Sequence, residues 1–474
     1  MQQNKNKSYQ GLAEKMKSIQ LKEFQKECIE QICKHFSVYK KQLIQLPTGS
    51  GKTFIFLHYL RDYSKKSVIV VPSKELEEQV FYWGKIICKD KSIIRNRYNM
   101  IHLFNQPDII ITTAAALRFD KTKEFIKEFD FDTLVIDEAH HAQAITYKKF
   151  LKTIDQKSFN LLGCTATPER LDKKPLFEIF EHLTYKKNIL DLILTKDLCN
   201  AKAFKIKTGC KISSNEVRKG DFLPKSLSKL NNETRNKILH KCFLEHAFDK
   251  KTLIFCVNIN HAVAIADSLK KCGIKSAAVW GSMPLKEREK ILEDFKKGDI
   301  QVISNCQLLT EGFDEPSIES LIIARPTLSK SLYCQMIGRG LRNFPGKEFC
   351  YIYELTDNAH NICDLTSTLE ISSNFKKEYS NNTDILALAK EYEHIDEENI
   401  EIKKEEFNIL NQKFVLNDNG YLNIFNTNFD KIKPTKRQQE KLNKHNFISE
   451  MSCLEASFIL WKEKLREKYG YVEK

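Results

Sequence analysis

Gln45-Leu46-Pro47-Thr48-Gly49-Ser50-Gly51-Lys52-Thr53 decides how this 474-residue chain is read. Leu43 and Ile44 before it form a short apolar run expected to be a buried strand, and Phe54-Ile55-Phe56-Leu57 after it opens a packed helix. A strand, a glycine-rich turn and a helix make a phosphate cradle. Gly49 and Gly51 allow backbone angles and close approaches that a side chain forbids. The N–H groups freed at the helix N-terminus then converge on an anion. Lys52 supplies positive charge for β- and γ-phosphates, and the Thr53 hydroxyl is placed to ligate Mg²⁺. The general P-loop spacing asks for glycine where Leu46 stands, so the stretch is a variant of that pattern.

Upstream, Phe24, Cys28, Ile29 and Ile32 recur at helical spacing. Phe24 and Gln25 on that helix are core and surface, or else an adenine clamp. In the second case the ring stacks and the amide reads the N6/N7 edge by donor–acceptor complementarity. Downstream, short β-branched runs alternate with polar helical segments: Val68-Ile69-Val70-Val71, Ile109-Ile110-Ile111, Leu134-Val135-Ile136 and Leu161-Leu162-Gly163. The pattern repeats with Leu253-Ile254-Phe255, Ala277-Ala278-Val279, Val302-Ile303, Leu321-Ile322-Ile323 and Tyr351-Ile352-Tyr353. Such runs indicate parallel sheets covered on both faces. The expected fold class is α/β, two doubly wound parallel-sheet domains in series plus a small, mostly helical C-terminal extension. The domains are placed at 1–195 and 196–365, with an accessory region at 366–474. Residues 200–235, rich in Lys, Ser and Asn, read as a connector or exposed insertion. In the accessory region, Asn417-Asp418-Asn419-Gly420 marks a hairpin, and 435–444 and 452–468 read as two short helices.

Leu134-Val135-Ile136-Asp137-Glu138-Ala139-His140-His141 is the second anchor. Carboxylates buried at a strand end are costly unless they hold a cation or a proton. Beside a phosphate cradle, Asp137 would hold Mg²⁺ and Glu138 would orient and deprotonate an attacking water. The adjacent histidines are expected to point in different directions and so to make no metal site.

Lys and Arg outnumber Asp and Glu by 76 to 62, a net charge of +14, which suits a polyanionic partner or a solvated lysine-rich surface. None of the 14 cysteines forms a C-x-x-C pair, and many sit in apolar runs. That argues against a disulfide framework or a zinc ribbon and for a reducing, cytoplasmic setting. No secretory signal and no apolar run long enough for a bilayer are found in the sequence.

The ordered motifs resemble a superfamily 2 helicase of the DEAH type, whose form of the P-loop motif residues 47–53 match. In the first half the others are Val71-Pro72-Ser73-Lys74-Glu75-Leu76, Thr112-Thr113-Ala114, Asp137-Glu138-Ala139-His140 and Thr165-Ala166-Thr167-Pro168. In the second half they are Leu253-Ile254-Phe255-Cys256, Thr310-Glu311-Gly312-Phe313-Asp314 and Gln335-Met336-Ile337-Gly338-Arg339-Gly340-Leu341-Arg342. Thr165-Ala166-Thr167-Pro168-Glu169-Arg170 and the 310–314 phrase are similar to the DNA-acting branch that includes RadD, the phage UvsW helicase and the XPB-like translocases. The cysteine zinc module common in RadD-like proteins is missing, since only Cys350, Cys363 and Cys453 stand near the C-terminus.

The resemblance implies two RecA-like domains with ATP and Mg²⁺ at their seam, and an ATP-dependent helicase or translocase acting on DNA. An RNA helicase, a motor subunit of a restriction or defence complex, and a non-catalytic clamp are the alternatives. It implies that Pro47, Thr48, Gly49, Ser50, Gly51, Lys52 and Thr53 cradle the phosphates, and that Arg339 and Arg342, three apart on one helix, act as arginine fingers. Gln335 would approach the γ-phosphate or the water, while Gly312 and Asp314 would lie at the nucleotide, with Asp314 on the ribose or the opposing arginine. Thr165 and Thr167 would relay the hydrolysis state. By the same resemblance Ser73, Thr113, Asn258, Gly281, Ser282 and Thr310 occupy family positions where hydroxyls and backbone N–H groups would grip nucleic-acid phosphates without reading sequence. Trp83, Trp280 and Trp461 are base-stacking candidates, although buried tryptophan is the commoner fate. Residues 366–474 would choose a substrate or a protein partner.

Overall fold

The computed structural model describes residues 20–95, 107–166, 176–212, 217–218, 221–310, 312–358, 363–365 and 383–384. They fall into two compact units that divide between Ile189 and Leu190. The first unit is a seven-stranded sheet in the order β3-β4-β2-β5-β6-β1-β7. Its strands are β1 Lys41–Gln45, β2 Ser67–Val71, β3 Ile93–Arg95, β4 Ile109–Thr113, β5 Thr133–Asp137, β6 Asn160–Thr165 and β7 His182–Lys186. Every pairing is parallel. Helices α1 Glu23–His35, α2 Lys52–Tyr63, α3 Lys74–Ile87, α4 Asp120–Glu128 and α5 Ile145–Thr153 cover it. β2, β4 and β5 are buried along their whole length, which is why their sequences are continuous β-branched runs and do not alternate.

The second unit is another seven-stranded sheet, ordered β12-β13-β11-β14-β15-β8-β16. Its strands are β8 Asn200–Lys211, β11 Thr252–Phe255, β12 Ser276–Trp280, β13 Val302–Cys306, β14 Ser320–Ile323, β15 Phe349–Asn358 and β16 Thr383–Asp384. Only β16 runs antiparallel, on β8. A two-stranded ribbon, β9 Val217–Arg218 with β10 Asp221–Phe222, stands apart from both sheets. The long helices are α6 Glu233–Cys242, α7 Ile259–Lys271, α8 Leu285–Lys297 and α9 Lys330–Gly338.

One expectation is corrected here. Residues 200–235 are not a connector: β8 is a twelve-residue strand parallel to β15, and the ribbon and a short helix, Pro224–Ser228, follow it. Lysine content conceals a period-two pattern. Phe204 and Ile206 pack on the core, Phe204 stacking on Tyr353 at 5.0 Å, while Lys205 pairs with Asp364 at 2.7 Å and Lys207 is exposed. The expected hairpin and helices beyond 366, and Trp461, lie outside the described residues.

Residues 363–365 dock on the second sheet beside α9. Cys363 N–H donates to Thr327 O at 2.9 Å, and Leu365 N–H donates to Glu354 Oε1 at 3.0 Å. The Tyr333 hydroxyl, from α9, donates to the same carboxyl oxygen. Burial, reinforced by Asp364 and opposed by Tyr333, Lys205 and the Leu365 N–H, lifts the Glu354 carboxyl to about 7. The folded chain therefore keeps a proton that the unfolded chain releases near its ordinary 4.5. That stabilisation, up to about 3 kcal/mol, is complete below the unfolded value and is lost as pH rises through the folded one. Thermal melts should accordingly show Tm falling between about pH 5 and pH 8. Glu354→Gln should flatten that slope; an unchanged slope in the variant would refute the assignment.

Candidate active site

In the first unit the residues marked by sequence gather at the carboxyl ends of parallel strands, where open α/β sheets bind ligands. β1 runs into the P-loop with Gln45 opposite Thr165, and Leu46 N–H donates to Thr165 O at 2.9 Å. β5 lies beyond β6, with Asp137 opposite Cys164. Asp137 is therefore two strands from the P-loop, about 10 Å across the sheet.

The P-loop is shaped for an anion. Gly49 (φ +88°) and Gly51 (φ +85°) take left-handed backbone, and Gly51 caps α2. A Cβ on Gly51 would lie 2.6 Å from Gln25 Nε2. The first N–H groups of α2 have no acceptor within the helix. Lys52 is buried and donates from Nζ to Leu46 O (3.1 Å) and Pro47 O (3.4 Å). The Thr48 and Ser50 hydroxyls are buried without a partner, each at a cost of about 1–3 kcal/mol. Loop hydroxyls wanting an acceptor, and an ammonium resting on two weakly basic carbonyls, fit the phosphates of a nucleotide. Gln25 ties α1 to this loop, donating from Nε2 to Ser50 O at 2.8 Å and accepting from Lys22 N–H at 3.0 Å. Phe24 beside it is buried, and Thr53, one residue into α2, is half-buried.

Asp137 and Glu138 are both buried, and Glu138 N–H donates to Asp137 Oδ1 at 2.9 Å. Glu138 adopts left-handed backbone (φ 48°, ψ 53°), a strained choice for glutamate costing about 1–3 kcal/mol. Burial alone would raise its carboxyl pKa. Lys52, His140 and His141 outweigh burial and hold it below the usual carboxylate range. Glu138 is thus an ionised acceptor. The histidines correct a second expectation: in the 3₁₀ turn Ala139–His141 their rings lie together, 4.2 Å between centroids. His140 Nδ1 lies 3.3 Å from both Thr165 Oγ1 and Glu138 Oε2, so the sequence reading missed its part in linking β6 to the acids. Among the described residues no group of three or more His, Cys, Asp or Glu could hold a metal.

In the second unit, α9 ends at Gly338, and Arg339 is its C-cap. The two arginines are therefore not on one helix: Arg342 lies in the turn that follows. Arg339 is buried and donates to Thr310 O (2.6 and 3.2 Å) and to Phe313 O (2.6 Å). Arg342 donates to Phe313 O at 3.1 Å and pairs with Asp314 Oδ1 at 2.7 Å. Gly312, with φ +71°, turns the loop between these acceptors. Gln335 is buried on the body of α9.

The strand-gripping candidates are divided between the units. Ser73 caps α3 by accepting from Leu76 N–H (3.3 Å), and Thr113 Oγ1 accepts from Ala116 N–H (3.2 Å). Asn258 caps α7, accepting from His261 N–H at 2.7 Å. Gly281 and Ser282 are exposed after β12, with open space around Gly281. Thr310 lends its carbonyl to Arg339. Trp83 packs half-buried on Phe54 at 4.8 Å and Trp280 is half-buried; Thr167 and Glu311 lie outside the described residues.

Residues 18–170 match the family "Type III restriction enzyme, res subunit", and residues 234–344 match "Helicase conserved C-terminal domain". The chain is related to the superfamily 2 helicases. Their DEAH/RecA-like architecture is what both sheets display, and ATP binding is implied by the matched superfamily 2 domains. A putative mitochondrial ATP-dependent helicase of Schizosaccharomyces pombe is 31% identical over 359 residues, covering 73% of this chain and 59% of that protein. The chain thus spans less than two thirds of that relative's length. The DNA 3′-5′ translocase XPB2 of Sulfurisphaera tokodaii is 26% identical over 366 residues, covering 68% of this chain and 79% of that protein. In fold, the chain is similar to the restriction-modification enzyme LlaBIII bound to DNA, with a TM-score of 0.54 at 16% identity, over 72% of this chain and 28% of that one. No described helix of this superfamily 2 chain is long and apolar enough to cross a membrane.

Proposed function

We propose that the chain is an ATP-dependent DNA helicase or translocase, of the RadD, UvsW and XPB-like branch, working in repair, recombination or fork remodelling. The observation that carries the proposal is the glycine-turned P-loop, with Lys52 buried in it and the Thr48 and Ser50 hydroxyls left without partners, on the same sheet as the buried Asp137 and Glu138. In this reading Pro47, Thr48, Gly49, Ser50, Gly51, Lys52 and Thr53 hold the phosphates. Phe24 and Gln25 hold the adenine, with the Gln25 amide leaving Ser50 O to do so. Thr53 and Asp137 would hold Mg²⁺, which neutralises charge on the phosphates. Glu138 takes the proton of the attacking water, and Gln335, Arg339, Arg342, Gly312 and Asp314 serve the nucleotide from the second domain. Both arginines must then exchange backbone carbonyls for phosphate oxygens. Ser73, Thr113, Asn258, Gly281, Ser282 and Thr310 grip the strand, the caps Ser73 and Asn258 doing so beside helix N-termini. Domains 1–195 and 196–365 form the motor, and 366–474 selects a substrate or partner. A cytoplasmic setting fits thirteen described cysteines that are all free.

The test is ATP turnover across single-stranded, forked and duplex DNA and the matching RNAs. Single-stranded or forked DNA should stimulate most, and binding should weaken steeply between about 50 and 200 mM salt as counterions are released. Stimulation by RNA alone would make the chain an RNA helicase, and salt-independent binding would refute phosphate gripping. The family match over residues 18–170 favours a second reading, the motor of a restriction complex. ATP-dependent cleavage of duplex DNA, alone or with an added methyltransferase subunit, would support it.

A further inference from the structure

One ammonium knits together two loops of the second unit. Lys347, half-buried after Gly346, donates from Nζ to Pro316 O (3.2 Å), Arg342 O (2.9 Å) and Gly340 O. An ammonium has three protons, and here each has its own carbonyl. Two of those carbonyls belong to the turn that carries Arg342, and the third to the loop that follows Asp314. At the other end of the same turn Arg342 reaches Phe313 O and Asp314, so the turn and the loop are fastened at both ends. The backbone has no slack beneath: a Cβ on Gly340 would lie 2.3 Å from Cys350 Sγ and 2.9 Å from Leu321. The strands β14 and β15 thus form the floor, and Lys347 holds the turn in place on it. Burial lowers the Lys347 pKa, with Cys350, Cys199 and Glu319 pulling the other way.

We propose that Lys347 is a positioning residue for ATP turnover, fixing through the Gly340 and Arg342 carbonyls the direction in which the Arg342 guanidinium leaves the turn. It touches no reacting atom and acts only through Arg342. The proposal rests on the reading of Arg342 as a group that serves the nucleotide. Without Lys347 the three carbonyls turn to water, the turn loosens, and the guanidinium searches a wider arc. Misplacement on the scale of an ångström is enough to cost about ten- to a hundredfold in rate.

The test is a double-mutant cycle read as strand-stimulated ATP turnover on the full chain. Lys347→Met should lower kcat by about ten- to a hundredfold with little change in KM for ATP. Lys347→Arg, which keeps a cation but offers a planar fork, should recover part of that loss. In an Arg342→Ala background Lys347→Met should cost nothing further, because a residue acting through Arg342 has nothing left to act on. Equal fractional losses in both backgrounds would overturn the proposal, as would wild-type kcat in Lys347→Met while Arg342→Ala is impaired. If Arg342→Ala turns over normally, the reading of the second domain falls first and this inference with it. Should Lys347→Met fold poorly, Lys347→Gln, which keeps one donor and most of the stem, takes its place under the same criteria.

Discussion

Lys52→Ala is expected to lower strand-stimulated ATP turnover by at least about a hundredfold, the scale seen when one preorganised charge is taken from a developing anion. Two effects combine in this variant. The cradle loses the cation that now rests on Leu46 O and Pro47 O and would move to the phosphates. Glu138 also loses a partner that offsets its burial, so its carboxyl pKa rises. A carboxyl that takes up a proton is no longer a base. The variant should therefore bind nucleotide weakly, and any residual turnover should need a higher pH than the wild type does. Titration with a fluorescent ATP analogue and a pH–rate profile measure both effects. Turnover within a few-fold of wild type would remove the P-loop from the mechanism.

Glu138→Gln is expected to separate what Lys52→Ala merges. Glutamine keeps the shape and removes the charge, so the phosphate cradle stays intact. Turnover should fall by about 10²- to 10⁴-fold, the usual contribution of a positioned base, with ATP affinity held or improved. Stability should fall, because a carboxylate held below its ordinary range contributes stability at neutral pH that a neutral amide does not replace. Substantial turnover in Glu138→Gln would place the base elsewhere, and loss of nucleotide binding would make Glu138 a binding group.

The first sheet was legible because β2, β4 and β5 are buried on both faces and leave runs that only strands of this length produce. β8 was not, since its outward positions carry lysines and its inward ones alternate, a pattern weaker than composition. β3, three residues long, and β7, mostly half-buried, leave no comparable run. In the candidate site, the P-loop and the acid pair were readable from residue type and spacing. The geometry of the arginines was not: a helix extrapolated through Gly338 puts Arg339 and Arg342 on one face, whereas the chain turns off there onto Thr310 and Phe313. Lys347 carried no spacing signal beyond a lysine following Pro345-Gly346, and its three carbonyls come from two loops distant in sequence. His140 was dismissed as a metal ligand and so escaped notice as the contact between Glu138 and Thr165.

The way Cys363, Asp364 and Leu365 fasten onto Thr327, Lys205 and Glu354 bears on where this protein can be cut. A fragment ending at residue 362 would take a carboxylate from Lys205 and a donor from Glu354, the carboxyl that Tyr333 also bonds from the helix that carries Gln335. Lost activity in so short a fragment would then mix the disturbance at Glu354 with the loss of the region removed. Dissection that leaves Leu365 in place keeps the two questions apart.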